Sequence, residues 1–201
     1  MDRRLSYRLA APFYDLAMAG LLRQARQDSV ASLALAPGAR LLVPGIGTGL
    51  DLSFLDRDQE FLGGDFSPAM LVRAQSRARS LGCRRAALAV LDAMALPVAD
   101  GTFDAALLHL ILAVAPDGRK VLAEACRAVR PGGRLAVLDK FLPPGEAAPP
   151  LWRLAAQALM SPFTDVNRRF EDLAEGLPLT VLADEGVMLG RTFRRILLLR
   201  R

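Results

Sequence analysis

The stretch LLVPGIGTGLDL, residues 41–52, decides how the rest of the chain is read. An apolar run, Leu41 to Val43, enters a loop carrying Gly45, Gly47 and Gly49, with Ile46 between the first two. Glycines spaced in this way let a backbone adopt left-handed conformations and come close to a ligand. The run before the loop suits a buried strand, and a short helix is expected near 49–56. The pattern alone has two meanings: a ligand-binding loop, or a strand-to-helix turn that needs a permissive backbone.

Upstream, the spacing predicts a helix over 13–35. Phe13, Leu16, Ala17, Leu21 and Leu22 would form one side, with Arg23, Gln24, Arg26, Gln27 and Asp28 on the other. Downstream, EFLGGD at 60–65 reads as a second strand. Ser67-Pro68 then starts a helix, with serine as cap and proline in the first turn, and Gly82 closes it after Leu81. RAALAVLD at 85–92 and TFDAALLHLI at 102–111 are the next strands. A helix from Asp117 to Val129 is expected to stop at Pro131-Gly132-Gly133, before the strand RLAVLDKF at 134–141. A proline-rich connection, a helical stretch at 151–160 and a terminal hairpin, LTVLADE with FRRILLLR, complete the chain.

Strands alternating with helices predict a Rossmann-like, doubly wound α/β fold. Its sheet would be seven-stranded and mostly parallel, with the C-terminal hairpin antiparallel and helices on both faces. In such a sheet ligands bind beyond the carboxyl ends of the strands, at the point where the strand order reverses. The glycine loop follows the first strand, so it lies there.

The residues at the other strand ends give the loop its meaning. Asp65 closes the second strand, 20 residues after Gly45, where a carboxylate can accept hydrogen bonds from both hydroxyls of a ribose. It could equally cap the helix that starts at Ser67-Pro68. Asp92 closes the third strand and can accept from an adenine amino group, while the amide of Ala93 faces a ring nitrogen; the alternative is a solvated loop acid. Three independent strand ends thus furnish nucleoside chemistry.

Composition bounds the partners. The chain has 201 residues, 52% hydrophobic and 23% charged, enough to bury a core. Its net charge of +5 comes from arginines scattered along the chain, with short clusters such as Arg168-Arg169. No basic stripe is interleaved with aromatics, so no nucleic-acid partner is expected, whereas peripheral contact with an anionic membrane surface fits the charge. Cys83 and Cys126 have no metal-ligand spacing and His109 is the single histidine, so no metal is expected. Pro12, Tyr14 and Asp15 interrupt the apolar N-terminal stretch, which argues against a signal peptide. No segment approaches the roughly 18 apolar residues of a membrane span. A soluble cytoplasmic protein is expected.

The chain resembles class I S-adenosylmethionine-dependent methyltransferases, in particular the small-molecule branch with quinone C-methyltransferases and phosphatidylethanolamine N-methyltransferases. The phrases that carry the resemblance are APFYDLAMAG, VPGIGTG, GGDFSPAMLVRAQSRA, LDAMALPVADGTFDAALLHLIL and EACRAVRPGGRLAVLDKF, in the family's order over residues 8–141. The resemblance implies S-adenosylmethionine as cofactor, held by Gly45, Ile46, Gly47 and Gly49 at its methionine and ribose end. It gives Asp65 to the ribose, Asp92 with Ala93 to the adenine, and Phe66 and Met70 to the flanks of the adenine ring. It brings His109 near the sulfonium and the acceptor. One position departs from the family: the acidic residue two places before the first glycine is Val43 here, followed by Pro44.

The same resemblance implies one domain over 1–201: a helical lid at 1–37, a cofactor-binding core at 38–141, a substrate-side insert at 142–177 and the hairpin at 178–201. His109 and Tyr14 are the candidate catalytic residues, although a lone histidine in the apolar run LLHLIL also suits a core. Tyr14, Lys140 and Arg168 are the candidate acceptor contacts. Asp139 and Lys140 could face the acceptor or pair with each other. The expected acceptor is a small or lipid-like molecule, because the insert is apolar and followed by Arg168-Arg169. The alternative functions are a degenerate cofactor-binding protein and, further off, an RNA or DNA methyltransferase, for which the (D/N)PP(Y/F) phrase is missing.

Overall fold

Five parallel strands lead the chain: β1 (Arg40–Pro44), β2 (Glu60–Asp65), β3 (Ala86–Val90), β4 (Phe103–His109) and β5 (Val129–Lys140). Two more, β6 (Leu179–Met188) and β7 (Phe193–Arg200), form an antiparallel hairpin whose second strand pairs antiparallel with β5. The strand order is β3-β2-β1-β4-β5-β7-β6. This computed structural model describes residues 20–142, 168–188 and 192–201. The expected helix at 151–160 lies outside them, as does the part of the predicted 13–35 helix before residue 20.

Among the described residues, four helices accompany the sheet: α1 (Arg23–Ser32), α2 (Pro68–Leu81), α3 (Gly118–Ala128) and the short α4 (Phe170–Ala174). Alternation along β1 explains the layering, since successive side chains point to opposite faces. Leu42 joins a core with Val121, Leu122 and Cys126 of α3 and Phe170 of α4. Leu41 and Val43 join the opposite core, with Val30 of α1 and Leu71, Ala74 and Ala78 of α2. Each fully buried leucine in these layers contributes about 2 kcal/mol of apolar burial.

Local signals set the element ends. Ser67 accepts from the Met70 amide and Pro68 opens α2; Gly82 closes it in the left-handed conformation. Asp117 caps α3 by accepting from Lys120. Two expectations need correction. Pro131-Gly132-Gly133 does not separate α3 from its strand: β5 begins directly at Val129, and its register against β4 shifts between Phe103 and Ala105. The extra residues bulge there, and a side chain at Gly133 would meet Val129 and the Asp104 carbonyl. The second correction concerns α1. Leu22 is buried and Arg23, Gln24 and Gln27 are exposed as predicted, but Leu21 is exposed and Arg26 is buried, because Arg26 finds a buried carboxylate.

At the far side, Arg194 of β7 is buried and pairs with Asp184 of β6 at 2.6 Å and Glu171 of α4 at 2.7 Å. Its guanidinium also lies against the rings of Phe141 and Phe170. This fastens α4 and the hairpin to the end of β5.

Candidate functional site

The sheet reverses its order between β1 and β4, so the crevice lies beyond the carboxyl ends of those two strands. The glycine loop leaves β1 at that point. Gly45 has φ +70, and a Cβ there would sit 2.3 Å from Cδ1 of Ile111, so packing requires glycine. Gly47 is different: its φ is +55, and nothing lies within 4 Å of where a Cβ would be. The loop therefore presents bare backbone to open space at Gly47. After Gly49 the expected short helix forms as a 3-10 helix, Leu50–Phe54.

Asp65, at the end of β2, stitches the loop to its neighbour. One carboxylate oxygen accepts from the Gly47 amide at 2.9 Å and the other from the Ser67 amide at 2.8 Å. Burial pushes its pKa above the ordinary 3.8, against the pull of those two amides. Each oxygen keeps lone-pair capacity for a further donor. The two residues before it are glycines in close quarters: a Cβ at Gly64 would strike the Leu91 side chain, and one at Gly63 the tips of Ile46 and Leu88. The Ile46 amide donates to the Gly64 carbonyl at 2.9 Å, a second tie between loop and strand.

The end of β3 joins the same edge. The Leu91 amide donates to the Asp65 carbonyl at 3.2 Å, and Asp92 accepts from the Met94 amide at 2.8 Å in a tight turn. Ala93 is half-buried within that turn. Phe66 follows Asp65 and is 69% exposed, a large apolar side chain held out at the crevice edge, while Met70 is buried in the first turn of α2.

His109 lies at the end of β4, but its ring does not face open space. Nδ1 is 2.8 Å from Asp51 of the 3-10 helix, and Nε2 is 2.9 Å from Oγ of Ser29 on α1. The same Asp51 oxygen accepts from Arg26 at 2.7 Å. Burial opposes the charge on Asp51, yet His109 and Arg26 outweigh it and hold the carboxyl well below the usual range. With both ring nitrogens engaged, His109 is not arranged to take a proton from a substrate. Leu110, directly after it, has a left-handed φ of +56, uncommon for a side chain of this kind.

The other predicted contacts separate. Arg168 spends its guanidinium on the carbonyls of Leu112 and Pro116 and so holds the loop after β4. Lys140 is buried at the end of β5 with Nζ 5.9 Å from the Phe193 ring centroid, and burial lowers its pKa. Asp139 accepts from the Ala113 and Lys140 amides; burial raises its pKa, against those bonds and the attraction of the Lys140 charge. Tyr14 lies outside the described residues. Val43 is buried among Leu41, Ile46, Phe61 and Leu71, an apolar setting rather than an acidic one. Arg26, Ser29 and Asp51 escaped the sequence analysis. Only Asp51, two residues after the last loop glycine, carried a local signal.

Comparison with known proteins gives a consistent picture. Residues 42–137 match the family model described as a methyltransferase domain. The chain is 37% identical over 147 residues to a demethylmenaquinone methyltransferase of Thermus thermophilus, covering 69% of this chain and 65% of that one. It is 31% identical over 129 residues to a phosphatidylethanolamine N-methyltransferase of Cereibacter sphaeroides, covering 64% and 63%. The chain therefore spans a little under two thirds of the length of both relatives. Among solved structures, geranyl diphosphate C-methyltransferase from Streptomyces coelicolor, in complex with S-adenosyl-L-homocysteine, has a TM-score of 0.76 at 16% identity, covering 89% of this chain and 78% of that one.

Proposed function

We propose that the protein is a class I S-adenosylmethionine-dependent methyltransferase that transfers the cofactor's methyl group to a small or lipid-like acceptor, a reading supported by the match of residues 42–137 to the methyltransferase-domain model and by the likeness to two methyltransferases. The observation that carries this is the pairing of Asp65 with Gly47 beside open space at the strand-order reversal. The residues there fit the cofactor: bare backbone for close approach, and a half-buried carboxylate with lone pairs left for two ribose hydroxyls. S-adenosylmethionine, when bound, supplies an electrophilic methyl on a positively charged sulfur.

The protein's part is to bind, orient and exclude water. Gly45, Ile46, Gly47 and Gly49 hold the methionine and ribose end, and Asp65 takes the ribose. Asp92 with Ala93 takes the adenine, flanked by Phe66 and Met70. With His109 committed to Asp51 and Ser29, the chain supplies no general base from that position, and an acceptor that loses a proton releases it to water. That chemistry favours acceptors that are already good nucleophiles, such as a free amine or an enolised ring carbon.

The acceptor side lies beyond β5, where Lys140 stands, and in the insert at 142–177, whose Leu151, Trp152, Leu154 and Phe163 are apolar. The relatives named for a quinone and a phospholipid substrate support a lipid-like acceptor. The Arg84-Arg85 pair faces Asp58 and Glu60, so these arginines do not form a basic stripe for nucleic acid. A cytoplasmic protein that visits anionic membrane surfaces fits this chemistry. No helix among the described residues is long and apolar enough to cross a membrane.

Calorimetric titration with S-adenosylmethionine and S-adenosylhomocysteine tests the cofactor half. Binding of both is expected; no heat from either at millimolar concentration sinks the reading.

A further inference from the structure

Four polar side chains from three separate elements meet in one buried place. Arg26 and Ser29 come from α1, Asp51 from the turn after the glycine loop, and His109 from the end of β4. All four are at most 7% exposed. Burying such groups is costly unless each is paired, and here the pairs run Arg26 to Asp51, Asp51 to His109, and His109 to Ser29. An ionised carboxylate only accepts, so the proton on His109 sits on Nδ1 and points at Asp51. The ring thus bridges two elements: one nitrogen holds the segment that follows β1, and the ring itself is carried by β4.

The seating of α1 makes the network more than a local tie. Of the three buried residues on that helix, Arg26, Ser29 and Val30, two belong to the network. The helix also leaves an open cleft of about 460 Å³ against the same turn, lined by Arg23, Gln27, Ser53 and Asp56 among others. Directional hydrogen bonds thus seat α1 over the turn together with the apolar packing of Val30.

We propose that His109 is a positioning residue. Clamped between Asp51 and Ser29, it fixes the outgoing end of the glycine loop against β4 and docks α1 beside the cofactor crevice. It acts on the cofactor through the loop and carries no proton in the reaction. This role rests on the cofactor reading above for its main readout, S-adenosylhomocysteine affinity.

The test compares His109→Asn, His109→Leu, Asp51→Asn and Ser29→Ala with the wild-type chain, each checked for a folded thermal transition. Asparagine can still donate toward Asp51, whereas leucine cannot. Titration with S-adenosylhomocysteine is expected to show His109→Leu and Asp51→Asn weakened by about 10-fold or more, the loss of one charge-assisted hydrogen bond. His109→Asn should return to within about 3-fold of wild type, and Ser29→Ala should lie between. Nitrogen-15 NMR should give a slowly exchanging Nδ1 proton in the wild type that disappears in Asp51→Asn. Equal affinity in all variants overturns the role of His109 while leaving the cofactor reading intact. So does failure of asparagine to restore what leucine loses. Should the wild type itself bind no S-adenosylhomocysteine, the cofactor reading fails, and the positioning role falls with it.

Discussion

The Asp65 carboxylate and the Gly47 amide, 18 residues apart in sequence, meet at 2.9 Å and bind the glycine loop to the end of β2. Removing the carboxylate frees the loop and deletes the acceptor for the ribose. Asp65→Ala is predicted to weaken S-adenosylhomocysteine binding by about 10- to 100-fold, as expected for hydrogen bonds to a charged group. Asp92→Ala should weaken it less, because its turn also rests on a backbone bond, and Cys83→Ser should not change it. Isothermal calorimetry on the three variants gives the ranking directly.

Gly45 and Gly47 are predicted to fail in different ways when changed to alanine. At Gly45 the new methyl meets Ile111 at 2.3 Å, so thermal stability should fall by at least about 1 kcal/mol from overpacking. At Gly47 the methyl enters open space. The left-handed backbone costs roughly 1 kcal/mol, and the larger effect should be lost cofactor affinity. Differential scanning calorimetry paired with ligand titration separates the two.

Cofactor affinity should carry an acid limb that belongs to Asp65. Its pKa in the folded chain is raised by burial above 3.8, so the carboxylate takes up a proton at a higher pH than an ordinary aspartate. Only the ionised form accepts from two hydroxyls. Affinity is therefore flat near neutrality and falls on acidification before pH 3.8 is reached. Asp65→Asn should bind weakly and without that limb.

Asp51 carries the opposite sign. Its folded-state pKa is depressed below 3.8, so its contribution to stability is fully present above that value and is lost as pH falls through the depressed one. Breaking a buried pair by removing one charge costs about 3 kcal/mol or more. Urea denaturation at pH 7 should show Asp51→Asn destabilised by about that amount, and the gap from wild type should narrow as pH drops below 3.8.

The fold was legible because its signals are local. Ser67-Pro68 with Gly82 bounds α2, Asp117 opens α3, and unbroken apolar runs mark β1 and β4. The terminal hairpin followed from two strand-like runs joined by a short loop, although its insertion of β7 between β5 and β6 is a matter of tertiary pairing. Asp65 and Asp92 could be placed at the crevice because strand ends are periodic landmarks. What the sequence concealed was the partner of each buried charge. Arg26 looked like a surface residue on a polar helix face, and nothing within a turn of it hints at Asp51, 25 residues on. His109 likewise looked free to act as a base until Ser29, 80 residues away, was found at its Nε2. Arg168 looked like an acceptor contact because its backbone partners, Leu112 and Pro116, lie in a distant loop.

Transfer of the methyl group itself is the central claim, and one labelling experiment tests it most directly. The wild-type chain is incubated with methyl-labelled S-adenosylmethionine and, separately, lipid extract, quinone precursors, small amines and tRNA. Label is predicted in a lipid-like or small-molecule product, with S-adenosylhomocysteine released in equal amount and both lost in Asp65→Ala. Tight cofactor binding with no label moved to any acceptor, or label found in tRNA alone, would contradict it.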